Sequence, residues 1–165
     1  RNRGVAYCAS CDGMFYKDKP VAVIGSGNTA AGDALLLANI CSKVYFVHRH
    51  DAPHAEQTYL EILKNTPNVE FFPNSSFIYE NSDSNTGTNT SSGKNLKGII
   101  INDTVSGASR EILCDGVFVA VGRIPNTKLF ANQLDLTAQG YITAEENTKT
   151  NIPGVFAAGD VRTKL

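Results

Sequence analysis

The sequence predicts an α/β protein, a Rossmann-like βαβ dinucleotide-binding domain with a parallel sheet and an antiparallel β-meander. Three observations lead there. A continuous apolar run, Val21-Ala22-Val23-Ile24, opens directly onto Gly25-Ser26-Gly27, as a buried parallel strand does before a nucleotide turn. A second apolar run, Val44-Tyr45-Phe46-Val47, follows after one helix-length of chain. Further on, short strand candidates are divided by turn residues, the pattern of a meander.

Taken in order, the elements support that class. Ala31, Ala34, Leu35 and Ala38 recur at i, i+3, i+4 and i+7, which is one face of a helix. Strand, helix and strand fit within roughly 30 residues, the size of a βαβ unit. The segment from Pro53 to Lys64 carries Ala55, Tyr59, Ile62 and Leu63, read as the apolar face of a second helix ending before Pro67. Val69-Glu70-Phe71-Phe72 supplies a third parallel strand. Ser76 to Tyr79, Lys97 to Asn102 and Glu111 to Cys114 form the expected meander. Between the first two, Asn81 to Asn95 has no side chain able to build a core and reads as a mobile hairpin loop. Val117 to Gly122 is another buried strand. The expected domains are residues 1–127, which bind the nucleotide, and residues 128–165, a segment too short for its own core.

Composition narrows the function classes. With 15 Lys+Arg against 16 Asp+Glu the formal charge of the 165-residue chain is −1, so no global field draws it to nucleic acid or an anionic membrane. Apolar residues make up 42% and charged ones 19%, an ordinary globular mixture. No apolar run approaches the roughly 20 residues of a spanning helix. The 4 cysteines are too few for a disulfide-dense secreted scaffold, and their usage fits a cytoplasmic chain. Cys41 and Cys114 stand among apolar neighbours and read as small buried hydrophobes. The chain, opening on Arg1-Asn2-Arg3 without Met, reads as a piece of something longer.

Three constellations carry chemistry. In Gly25-x-Gly27-x-x-Ala30, Gly25 permits a tight turn, Gly27 admits a pyrophosphate to the backbone, and Ala30 allows close helix–strand packing. The free N–H groups of the helix starting at Asn28 and Thr29 favour the phosphates. At the end of the second strand an acid would select NAD, whereas Arg accommodates a 2′-phosphate. This chain has His48-Arg49-His50, with His54 beyond and no acid before Asp51. NADP is therefore favoured, the alternative being a solvated basic strand end. The third is Cys8-Ala9-Ser10-Cys11-Asp12-Gly13. Two residues between thiols allow a disulfide that opens and closes, and Asp12 is placed to move protons. A structural clamp or half of a metal site would show the same spacing. Hydride does not pass directly to thiols, so a dithiol beside a nicotinamide nucleotide implies a flavin between them.

Together these motifs are similar to the low-molecular-weight thioredoxin reductase family. The resemblance runs over nearly the whole chain: Gly4-Val5-x-Tyr7-Cys8-Ala9-x-Cys11-Asp12-Gly13, Gly25-x-Gly27-Asn28-Thr29-Ala30, His48-Arg49, Gly122-Arg123-x-Pro125-Asn126-Thr127, and Pro153 to Asp160. It implies an NADPH domain carrying the redox dithiol, then part of a returning FAD segment. It implies that Cys8 attacks the disulfide of a thioredoxin-like partner, that Cys11 lies next to the flavin, and that Asp12 is the acid–base group. Ser26, His48, Arg49, His50 and His54 would line the NADPH site, Gly159 and Asp160 would meet FAD, and Gly122 and Arg123 would be further cofactor-binding residues. It further implies a homodimeric full-length protein whose flavin-binding βαβ unit precedes Arg1. The segment around Val155 and Phe156 is then expected to expose apolar side chains, and the piece alone to be inactive.

The chain departs from the family pattern in three places. Ser26 stands where the family has glycine, and His50 and His54 stand where it has arginine. Two readings compete with a thioredoxin-type reductase. One is the flavoprotein subunit of an alkyl hydroperoxide reductase, which resembles an NADH user with an acidic strand end. The other is a non-catalytic module that binds NADPH.

Overall fold

The computed structural model describes residues 4–78 and 96–163; the expected loop from Asn81 to Asn95 lies outside them. By internal contact the chain forms two units, Arg1–Val121 and Gly122–Leu165. Unit 1 is built on a five-stranded parallel sheet in the order β1-β8-β2-β3-β4. Its strands are β1 (Val5–Ala6), β2 (Pro20–Ile24), β3 (Lys43–Val47), β4 (Val69–Phe72) and β8 (Gly116–Val119). A second sheet, order β5-β6-β7, contains Ser75–Ile78, Ile99–Asp103 and Ser109–Ile112, paired antiparallel throughout.

The alternation of β2 explains why it is buried on both sides. Val21 and Val23 join Val44, Phe46 and Phe118 in one core, against Ala30, Ala31, Ala34 and Leu37. Ala22 and Ile24 join Val47 and Val117 in another, with Ile99, Ile101 and Ile112 of the second sheet. Helices α2 (Asn28–Ala38) and α3 (Gln57–Lys64) thus have residues in the first core, and the meander has residues in the second. Apolar runs with no polar face are what this double coverage requires.

The structure corrects several local expectations. Helix α3 begins at Gln57, not Pro53, so Ala55 lies off the helix. Its buried residues are Leu60 and Leu63, whereas Ile62 is 57% exposed. The meander strands are displaced by one or two residues, and Asp103 makes the β6–β7 turn. Its Oδ1 accepts from the N–H groups of Val105 and Ser106, both at 2.8 Å. The two-residue strand β1 was not foreseen.

Unit 2 contains a 3-10 turn at Lys128–Phe130 and isolated bridges such as Leu136 to Ile142. Contrary to expectation it does enclose a small core: Ile142, Ala144 and Ala157 are buried, with Leu134, Leu136 and Val161 packed around them. The break falls at Gly122, six residues before the expected 128. Buried Thr127 donates its hydroxyl to the carbonyl of Gly140, which ties 122–127 into the second unit. Phe156 is 61% exposed and Val155 partly so.

Candidate functional site

All strands of the main sheet run the same way, so their carboxyl ends form one edge, where ligands of such sheets bind. Four of the five segments that leave that edge carry the residues of interest. Cys8 follows β1, Ala120 follows β8, Gly25 follows β2 and His48 follows β3. β8 lies between β1 and β2. At about 4.8 Å per strand spacing, the exits of β1 and β2 are on the order of 10 Å apart.

The dinucleotide turn is shaped by contact. Gly25 has φ 153°; a Cβ there would collide with the Ala120 carbonyl and sit 2.8 Å from Ala30 Cβ. Gly25 N–H donates to the Val47 carbonyl at 3.0 Å, and Ala120 N–H to that of Ile24 at 2.8 Å. Gly27 differs: the space its Cβ would enter is open. It caps α2, and no side chain bonds to the helix start there. The opening beside Gly27 and the uncapped first turn fit a diphosphate.

Asn28 is fully engaged. Its Nδ2 donates to Glu56 Oε1 at 2.8 Å and its Oδ1 accepts from the Glu56 N–H at 2.7 Å. His54 N–H donates to the Ser26 carbonyl at 2.7 Å. The loop after β3 is thereby stapled to the fingerprint. Glu56 was not singled out from sequence, since only folding brings it to Asn28. Thr29 is exposed and Ala30 buried.

The strand-end residues divide. His48 is 3% exposed, with Nδ1 2.8 Å from the His50 carbonyl and its ring near Phe46 and Phe71. Burial pushes the pKa of its imidazole below the ordinary value. Arg49 is exposed and its Nε donates to His50 Nε2 at 3.3 Å. The His50 and His54 rings lie 4.4 Å apart, tilted 31°.

Cys8 and Cys11 are joined as a disulfide with Cα atoms 5.3 Å apart. Cys8 caps the short helix α1 (Ala9–Asp12), and its Sγ accepts from the Cys11 N–H at 3.2 Å. The Ser10 hydroxyl is 3.4 Å from the same sulfur. Cys8 is half-buried, Cys11 exposed and Asp12 half-buried. Tyr7, Met14 and Phe15 beside them are exposed. Cys41 and Cys114 are free and buried. In unit 2, Gly122 and Gly159 have φ of 104° and 80°, and Arg123 Nη1 lies 4.0 Å from Asp160 Oδ2, both side chains exposed.

A βαβ turn with open space beside Gly27 and a closed C-x-x-C pair thus lie along one edge of a parallel sheet. The chain belongs to the pyridine nucleotide-disulphide oxidoreductase family, whose model matches residues 1–165. It is 39% identical over 160 residues to a thioredoxin reductase of Streptomyces clavuligerus, covering 96% of this chain and 47% of the relative. To that of Escherichia coli O157:H7 it is 41% identical over 168 residues, covering 98% and 50%. Two solved structures align over nearly the whole chain. The T. acidophilum thioredoxin reductase gives a TM-score of 0.80 at 30% identity, covering 99% of this chain and 51% of that one. The Lactococcus lactis thioredoxin reductase gives 0.79 at 29%, covering 98% and 50%. The chain spans about half the length of these relatives. No helix among the described residues is long and apolar enough to cross a membrane.

Proposed function

We propose that this chain is the nucleotide and dithiol portion of an NADPH-dependent, flavin-mediated disulfide reductase acting on a thioredoxin-like protein. The observation that carries the reading is the closed Cys8–Cys11 pair on the same sheet edge as the open turn at Gly27. Unit 1 holds the nucleotide: the α2 start takes the diphosphate and Arg49 takes the 2′-phosphate through charge-assisted hydrogen bonds. A bound flavin supplies the conversion of hydride into electrons that thiols accept. Gly122, Arg123, Gly159 and Asp160 would form part of its wall; Gly159 fits, since its backbone is open to close approach. As exposed residues they do not form an enclosure by themselves.

In the reduced pair, Cys8 is the attacking sulfur. The Cys11 N–H that points at Cys8 Sγ favours negative charge there. Cys8 thiolate attacks one sulfur of the partner disulfide, forming a mixed disulfide and releasing the partner's other sulfur as thiolate. Asp12 supplies the proton for that leaving group. Cys11 thiolate then attacks Cys8, restoring the Cys8–Cys11 bond and releasing the partner's second thiolate. Net, NADPH and one proton reduce one protein disulfide to a dithiol. The Arg49 side chain at the β3 exit favours this reading over an NADH-using peroxide-reductase subunit.

The test is a trap in the full-length parent protein. Cys11→Ser should leave Cys8 able to form a lasting mixed disulfide with a thioredoxin-like protein, seen as a reductant-sensitive adduct by mass spectrometry. An adduct forming only in Cys8→Ser would reverse the roles, and none in either would defeat the assignment.

A further inference from the structure

We propose that His50 and His54 make recognition of an adenosine 2′-phosphate proton-coupled, the pair taking up one proton as the phosphate binds and Arg49 being released to it. The inference rests on the nucleotide reading above and adds a regulation of that site.

The geometry supplies each part. Arg49 Nε donates to His50 Nε2, so that nitrogen is an acceptor and carries no proton in this arrangement. The guanidinium that would meet the phosphate is thereby held by a neutral ring. Placing a proton on Nε2 turns the acceptor into a donor and ends the bond. Proton uptake and release of Arg49 are thus one event. The His54 ring, its centroid 4.4 Å from that of His50, shares the site, and a charge on either ring beside Arg49 is repelled while no anion is present. A dianionic phosphate reverses that balance. The rings are also placed for it: His54 N–H is bonded to Ser26 and Glu56 to Asn28, so the imidazoles are tied to the fingerprint that would hold the rest of the nucleotide.

The other charged or titratable neighbours do not substitute for the pair. His48 is buried and its ring bonds the His50 carbonyl. Asp51, on the same loop, accepts from Asn74 of the β4–β5 turn at 3.4 Å. Glu56, at the start of α3, is bonded to Asn28. The proton comes from solvent and no covalent bond changes.

The experiment is calorimetric titration of this chain with adenosine 2′,5′-bisphosphate and with 5′-AMP at pH 6 to 8, in buffers of different ionisation heat. The bisphosphate should bind with uptake of close to one proton and gain up to about tenfold in affinity per pH unit as pH falls. Binding of 5′-AMP should involve no such uptake. In H50Q/H54Q the uptake should vanish. That loss separates the rings from the ligand, whose own phosphate protonates near pH 6. Should the double variant not fold, H50Q and H54Q are titrated singly in its place, and uptake undiminished in both overturns the coupling. Preferential bisphosphate binding without proton uptake, or uptake that survives in H50Q/H54Q, overturns the coupling and leaves the nucleotide reading standing. Binding of neither ligand overturns both.

Discussion

Gly25 and Gly27 stand two residues apart in one turn, yet their hydrogens do different work. Gly25 has a positive φ and packs against the Ala120 carbonyl and Ala30, so its lack of a Cβ serves the fold. Gly27 faces open space, so its lack of a Cβ serves a ligand. Gly25→Ala should therefore destabilise unit 1 by about 2–4 kcal/mol through backbone strain and overpacking. Gly27→Ala should lose less than about 1 kcal/mol as a capping change, yet weaken binding of a dinucleotide. Urea denaturation and a nucleotide titration of both variants check this; equal destabilisation would contradict the division. Both glycines were legible in the sequence because a motif fixes their offsets. His48 was less so: it was grouped with Arg49, but a strand alternates its side chains across two faces. Which face is buried depends on Phe46, Phe71 and the His50 carbonyl, contacts the sequence does not spell out.

At the level of elements, α2 owes its place to small residues and one large one. Ala30, Ala31 and Ala34 bring the helix close to the sheet, and Leu37 is its largest fully buried side chain. Leu37→Ala should lower unfolding free energy by about 2–5 kcal/mol, the range for a cavity in a rigid core. The adjacent Leu36→Ala, at a position already 39% exposed, should stay below about 1 kcal/mol. Chemical denaturation of the pair distinguishes the faces. Strand β2 could be read directly because burial on both sides leaves an unbroken apolar run, whereas β3 and β4 keep Lys43 and Glu70, whose charges pair with each other. Helix α3 could not be read as well. Alternative apolar stripes run through Tyr59 and Ile62 or through Leu60 and Leu63, and only α2 packing selects the second. β1 escaped because two residues carry no period; it exists as a strand through pairing with β8.

Across the whole molecule, the buried thiols set an alkaline limit to stability. Burial, and then Asp18, push the Cys41 thiol up to about 11. Burial, and then Asp115, push Cys114 up to about 12. From an ordinary value of 9.0, the unfolded chain loses these protons first, so stability is full below pH 9 and falls as pH rises toward the folded values. Each thiol approaches a slope of about 1.4 kcal/mol per pH unit in that window, so the two predict a loss of roughly 3 kcal/mol between pH 9 and 10.5. Urea midpoints across that range measure it, and a Cys41→Ala/Cys114→Ala variant should show a flatter profile. Tyr16 steepens the loss above pH 10, its phenol being raised by burial and then by Asp12. The sheet order has a consequence for synthesis. β1 and β2 never pair with each other; each pairs with β8, which lies between them. On the ribosome β1 emerges first and β8 last of the five. A nascent chain can lay down β2, β3 and β4 as a platform, while the segment leading to Cys8 waits without a strand partner until most of unit 1 has been translated. An interior place in this sheet is therefore filled by its last-made strand, a long-range closure that slows folding and leaves an unpaired edge in the meantime.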